Sequence, residues 1–339
     1  MRTMQLTPKF RSPVRLTALG LAITLGLALA SGAHAQTVTV SAGETRTVTA
    51  GSAVEGHAFR VLGTLNVSGA GTAEITAADG GQIGLDTADV AAASGTFGVR
   101  AVNSNAMIRN SKIVADVRNG IGLTTAATIS TVLPFSRVEV SGSTVSGQLI
   151  GAQASGGGTI VSSNSHFTGA EAGTRALAGT IELRSGSSST GDNSGMHIAF
   201  TRQSQPGYAD PADWSILIDN STVEGNAGPA ILLARRLSTE DPELARVTVQ
   251  NGATLIGGNG VLVDAQDGAL LDFTARTSTL NGDITIADTA TAKISLLDGL
   301  DLTGRILGPA EVVVDQGGRW TLAGDSHTGN LTLRSEERR

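Results

Sequence analysis

A short alternating strand, a small polar turn, an apolar residue and a glycine recur along this chain. That recurrence limits its fold more than any other feature. The unit reads IRNSKIV at 108–114, VEVSGSTVSG at 138–147, IVSSNSHFTG at 160–169, ILIDNSTVEG at 216–225 and VTVQNGATLIGG at 247–258. Its turns fall at Asn110, Ser141, Asn164, Ser185, Asn220 and Asn251, with a closest spacing of about 21 residues, as in a solenoid that carries inserted loops in some coils. Further alternating stretches are Thr64–Val67, Thr180–Leu183, Ser215–Ile218, Arg246–Val249, Asp283–Ile286, Lys293–Leu296 and Glu311–Val314. Alternation puts one face inward and one outward, and the Gly, Asn, Asp and Ser clusters between them supply turns.

The fold class expected is therefore all-β, a right-handed parallel β-helix. A β-sandwich would use longer, more aromatic and less glycine-rich strands; this chain has two Trp, one Tyr and seven Phe against 44 Gly. Its core is expected to be stacked Val, Ile and Leu, and the recurrent Asn and Ser are expected to form ladders at the turns.

The first 35 residues read as a cleaved signal peptide rather than as fold. Arg2, Lys9, Arg11 and Arg15 make a basic leader, and an apolar run covers 16–30. Ala33-His34-Ala35 is a small-x-small cleavage site ahead of Gln36. The run falls short of the roughly 18 apolar residues of a spanning helix. Removing those four basic residues from 24 Lys+Arg leaves 20 against 30 Asp+Glu, so nucleic acid and anionic membranes are not expected partners. There is no cysteine; a chain of this length can bury a sufficient core without disulfides.

Two inserts interrupt the repeat. One, at 202–214, carries Tyr208 and Trp214; the other, at 235–245, carries Pro242. Loops on a rigid scaffold are where binding is concentrated, which makes Tyr208 and Trp214 candidate binding residues. A solvated loop that merely tolerates insertion is the competing reading.

Near the end stands RWTLAGDSHTGNLTL, 319–333. It reads as two short strands around a glycine-containing turn, a terminal hairpin able to cover the last aliphatic layer of a solenoid. A signal peptide, a Gly/Ser/Asn-rich β-helix over 36–310 and this late W-T-L-x-G-x-S-x-x-G-x-L-x-L stretch together resemble the passenger region of pertactin-like autotransporters. The resemblance implies that 311–333 is an autochaperone-like folding cap built on Trp320, Leu322, Gly324, Gly329, Leu331 and Leu333. It also implies export to the cell surface or secretion where a translocator exists, and otherwise residence in the periplasm. After Leu333 the chain reads as a charged tail over 334–339, with no strand pattern, so the translocator barrel is expected elsewhere. A truncated reading frame, a fragment, or a passenger served by a separate barrel would each give this ending.

Catalytic motifs are broken. Gly191-Asp192-Asn193-Ser194-Gly195 differs by one inserted residue from the Gly-Asp-Ser-Gly of chymotrypsin-like passenger proteases, and Gly324-Asp325-Ser326-His327 lacks the final glycine. His57, His166, His197 and His327 are scattered, whereas a triad needs a base and an orienting carboxylate placed by the fold. Gly80–Asp86 and Gly257–Gly260 do not form the tandem nonapeptides of calcium-binding β-rolls, and no His/Asp spacing suggests zinc. Asp219, Glu224 and Asp264 are the carboxylates that could be neighbours in a glycan-cleaving β-helix. No Arg-Gly-Asp is present, so the integrin motif of part of the pertactin-like group does not carry over. The sequence thus points to a non-catalytic, adhesin-like, exported monomer without cofactor, whose partner is a host-cell or matrix surface protein or a glycan. The alternative is a β-helical polysaccharide lyase or hydrolase.

Overall fold

A computed structural model describes residues 35–92, 94–127, 136–199, 214–234 and 244–334. The leader, Tyr208, most of both inserts and the tail beyond Arg334 lie outside the described residues. Of the proposed cleavage pair, Ala35 and Gln36 are described, and the Gln36 carbonyl accepts the N–H of Ala58 at 3.1 Å.

The described chain is all strand and turn, and every strand pairing is parallel. A 12-stranded sheet (sheet A), a 13-stranded sheet (sheet B) and an 8-stranded sheet (sheet C) run along the molecule, and the chain visits them in the order A, B, C. A 3-stranded sheet, Thr279–Asn281, Asp301–Gly304 and Arg319–Leu322, takes the place of sheet C in the last coils. This is a parallel β-helix, as the alternating pattern predicts. Six of the seven alternating stretches lie in sheet B; Asp283–Ile286 belongs to sheet A.

Alternation sets the core. In sheet B the inward positions stack as Leu65, Ile83, Ala106, Val138, Ile160, Ile181, Ile216, Val247, Phe273, Ile294, Val312 and Leu331, one per coil, in one-to-one register. Their neighbours on the strand, such as Asn66 and Glu139, face outward and stay exposed. Parallel sheets covered on both faces read as continuous apolar runs; here only one face is covered, so the strands alternate.

The turn from sheet B to sheet C holds the ladder. Asn110, Asn164, Ser185, Asn220 and Asn251 all have positive φ, between 45 and 58°, a region that Asn tolerates better than other side chains. At the second turn the left-handed residue is Gly142, one place after the expected Ser141. Just beyond each turn a small residue points inward. The N–H of Ala88 donates to Ser111 Oγ at 3.0 Å, that of Ser111 to Ser143 Oγ at 3.0 Å, that of Ser143 to Ser165 Oγ at 3.2 Å and that of Ser165 to Ser187 Oγ at 3.4 Å. Each serine hydroxyl in turn donates to a carbonyl of its own turn. Buried N–H groups that the sheets cannot reach are thereby satisfied. Outside this column, Asn251 Nδ2 donates to Asp219 Oδ1 of the preceding coil at 2.8 Å.

The turn from sheet C back to sheet A is tighter still. Glycines recur at its two ends, at 147 and 151, 169 and 173, and 191 and 195. A Cβ on Gly151 would come within 2.5 Å of the Gly173 carbonyl oxygen, and one on Gly195 within 2.5 Å of the Glu224 amide nitrogen. At this corner backbone lies directly on backbone.

The C-terminal strands differ from the expected hairpin. Arg319–Leu322 and Asn330–Leu333 do not pair with each other. The first lies parallel to Asp301–Gly304 and the second parallel to Ala310–Val314. Between them sheet A shrinks to one bridge, Leu307 to His327. The segment is one more narrow coil and not a folded-back lid. Trp320 stands in register with Leu302, packs against the core and donates its indole N–H to the Gly304 carbonyl at 3.0 Å. Leu331 and Leu333 occupy inward positions yet are 49% and 72% exposed, and Leu322 is 59% exposed. Gly324 and Gly329 border this coil, and a Cβ on either would meet its nearest atom at 3.3 Å, a tight contact with the flexible Arg305 side chain at Gly324 and with the Ala310 carbonyl at Gly329.

Gly173→Ala places a methyl against the backbone at Thr190 and is expected to cost at or above the upper end of about 1–3 kcal/mol. Ser143→Ala orphans the Ser111 N–H and should cost about 1–3 kcal/mol. Gly71→Ala, whose Cβ would meet nothing nearer than 3.8 Å, is the near-neutral control; chemical denaturation of the three variants checks the order. Trp320→Ala should act locally, because coils couple mainly to their neighbours. Amide exchange should rise over 301–304 and 319–333 while protection over 138–199 stays unchanged, and a uniform rise would contradict that locality.

Candidate functional site

The outward face of sheet A is where the fold gathers its chemistry. Its central row, one residue per coil, reads Arg60, Thr76, Arg100, Thr124, Gln153, Arg175, His197, Leu232, Asp264, Thr285 and Leu307. Sheet A is also the sheet after which the three long undescribed stretches leave. Residues 128–135 follow Ile121–Ala126, residues 200–213 follow Ser194–Ala199 and residues 235–243 follow Ile231–Ala234.

Midway along the row four side chains from three coils interlock. Glu171 precedes its strand and turns its carboxylate over the sheet. Its Oε1 accepts from His197 Nδ1 at 3.0 Å and from Arg175 Nη1 at 3.1 Å. Arg175 Nε donates to Gln153 Oε1 at 2.8 Å, and Gln153 Nε2 donates to Ser155 Oγ at 2.8 Å. The hydrogen bond from His197 holds the Glu171 carboxyl below its ordinary range; burial opposes this, and the Arg175 charge adds to it. His197 Nε2 is buried without a hydrogen-bond partner. An imidazole oriented by a carboxylate is half of an acid–base device, but no hydroxyl is bonded to this nitrogen.

Toward the C-terminal coils the same face opens into a cleft of about 800 Å³ lined by Asp264, Gln266, Asp267, Thr285, Asp288 and His327. Thr285 Oγ1 donates to Asp264 Oδ1 at 2.7 Å, and Thr289 Oγ1 to Asp267 Oδ1 at 3.1 Å. Among the described residues, no group of three or more His, Asp or Glu side chains is placed to hold a metal ion.

The structure redistributes the residues that the sequence offered. Asp219 lies on sheet B and accepts from Gln250 Nε2 at 3.0 Å, Glu224 lies on sheet C, and Asp264 lies on sheet A. These three carboxylates therefore do not converge. Trp214 is 3% exposed and belongs to the core. It stands immediately before the strand Ser215–Asp219, in the position that Gly179 holds one coil earlier, so its indole fills a corner and is not offered to a ligand. Ser194 is 1% exposed, with its hydroxyl donating to the Glu171 carbonyl at 3.4 Å. The protease-like Gly191–Gly195 is one of the glycine corners, equivalent to Gly169–Gly173 one coil before. Ser326 Oγ accepts the Ile306 N–H at 3.3 Å, a backbone-tying role. The Gln153, Glu171, Arg175 and His197 group escaped the sequence reading. The repeated Gly-x-x-x-Gly was the available signal, because it fixes which later residues share a row.

No protein-family model matches the chain, and no curated protein matches it. Among solved structures, one described as "Crystal structure of Agl-KA catalytic domain" is similar at 12% identity and a TM-score of 0.32 over 88% of this chain. The match spans 62% of that protein's chain.

Glu171 gives a pH test. A carboxyl whose folded value is depressed contributes stability that is present above its unfolded value, about 4.3, and is lost as pH falls through the folded value. Glu171→Gln should therefore lower the melting temperature at neutral pH. The gap to the parent chain should close as pH falls below about 4. A gap that persists unchanged at low pH would show that the carboxylate charge contributes nothing.

Proposed function

We propose that this chain is the passenger part of an exported, non-catalytic, adhesin-like β-helix that retains a host-surface or matrix ligand, protein or glycan, along the outward face of sheet A. The observation that carries this reading is the state of the polar groups on that face. Gln153, Glu171, Arg175 and His197 are bonded to one another across three coils, and the serine of the protease-like motif is buried in a corner. A rigid row of fixed donors and acceptors suits recognition, where area and complementarity set affinity; turnover would need an activated nucleophile or a separated acid–base pair. The signal-peptide-like leader and the late Trp-Thr-Leu stretch support the autotransporter-like setting.

A second reading, a glycan-cleaving enzyme, is favoured by the cleft of Asp264, Asp267 and Asp288. One experiment separates the two. The purified chain is incubated with a panel of matrix proteins and glycans, and both retention and product release are measured. Retention without cleavage, weakened at least tenfold by Arg175→Ala, is the outcome expected. Cleavage that disappears in Asp264→Asn would replace the binding reading with the enzymatic one. Labelling by a fluorophosphonate probe that is lost in Ser194→Ala would reveal a serine hydrolase instead.

A further inference from the structure

Most of the described arginines are matched by a carboxylate. Arg46, Arg137, Arg175, Arg184, Arg276, Arg305, Arg319 and Arg334 each lie within 4.0 Å of a carboxylate. Arg60, Arg100, Arg109 and Arg118 are exceptions, and of these Arg60 and Arg100 share one row of sheet A. Both stand in register with Thr76, which lies between them. Two parallel strand steps of about 4.8 Å separate their backbones by about 10 Å. Thr76 is partly exposed between the two guanidinium groups, and Arg60 is exposed. Arg100 lies over the ring of Phe97, 5.2 Å from its centroid, which orients the guanidinium while leaving its N–H edge free. Glu74, which precedes the strand of Thr76, directs its carboxylate toward Gly95, where an added Cβ would sit 3.4 Å from it.

A pair of uncompensated cations in a chain with 30 acidic against 24 basic side chains asks for an anion that the protein does not supply. Guanidinium groups pair with carboxylates in a bidentate, planar fashion, and the hydroxyl between them can donate to a ring oxygen or a sugar hydroxyl. The spacing is about the span of two pyranose rings, so alternate sugars of one strand would present their carboxylates to the two arginines. We propose that Arg60, Thr76, Arg100 and Phe97 form a subsite for a carboxylated polysaccharide, a uronic acid polymer lying along the solenoid axis. This rests on the proposed binding role of sheet A and names the ligand class for its N-terminal half.

The test is affinity electrophoresis of the purified chain through gels containing alginate, polygalacturonate, dextran sulfate or neutral dextran. The two uronic acid polymers should retard the protein, the retardation should weaken with salt, and Arg60→Gln/Arg100→Gln should reduce it at least tenfold. Arg109→Gln, an exposed arginine outside this row, should leave it unchanged. Equal retardation of the double variant, retardation by neutral dextran as strong as by the uronic acid polymers, or equal loss in Arg109→Gln would overturn the proposal. So would retention by dextran sulfate alone, which would point to sulfated ligands. If the uronic acid polymers fail while another ligand is retained in an Arg175-dependent way, the binding role of sheet A stands and only this subsite falls.

Discussion

Backbone laid on backbone at the corner between sheets C and A is the constraint on which the rest of this solenoid depends. Gly173 and Gly195 sit where a single added carbon would collide with the amides of the next strand. That contact brings the end of sheet C against the start of sheet A; in the coils at Gly147, Gly169 and Gly191 two residues turn the corner, while one coil earlier residues 116–120 make the same turn. Where the contact is fixed, the strands of the next coil have one register available. The inward Val, Ile and Leu then stack like on like, and the outward residues line up in rows. A slip by a single residue would turn the whole apolar set outward, so the glycine corner and the hydrophobic alternation enforce the same answer.

The three junctions of a coil are consequently unequal. The turn from B to C is held by left-handed Asn, Ser or Gly residues and a buried column of serine hydroxyls. The corner from C to A is held by close packing. The passage from A to B is close-packed in some coils, at Gly63, Gly81 and Gly179, yet it is there, after Ala126, Ala199 and Ala234, that the sequence carries its longest extra stretches. Sequence change concentrated beside sheet A leaves the stacking of the other two sheets undisturbed. A scaffold of this kind can lengthen beside one face while keeping its core.

Much of the fold was legible because its signals are local. Thr64–Ser68 and Thr180–Arg184 announce themselves by period-two alternation, and Asn110, Asn164, Asn220 and Asn251 by the turn chemistry of asparagine. What could not be read was pairing at a distance. Trp320-Thr321-Leu322 and Asn330-Leu331-Thr332-Leu333 alternate as hairpin strands would, and seven residues between them suit a hairpin. They belong to successive sheets because the sheet A passage has shrunk to the single bridge at His327, a fact that no local pattern encodes. Trp214 misled for a related reason. Its sequence neighbours Pro211 and Asp213 are residue types favoured in turns, but the core position it fills is defined by the coil before it. The Glu171, Arg175 and His197 cluster is likewise assembled from rows, and rows become readable only once the register is known.

The same geometry explains why a serine within a protease-like string need not be a nucleophile here. In three successive coils the residue that opens the sheet A strand, Ile150, Ala172 or Ser194, is fully or almost fully buried. Its side chain faces the interior, where neither substrate nor an external base can reach it. The residue three places later, Gln153, Arg175 or His197, faces outward at the same height. Chemistry on this scaffold must therefore be drawn from the outward row and its flanking turns, whatever the sequence motif around the inward residue suggests. That rule directs mutagenesis to Arg100, Arg175, His197 and Asp264 ahead of Ser194, and it holds for every coil in which the glycine corner sets the phase of the strand.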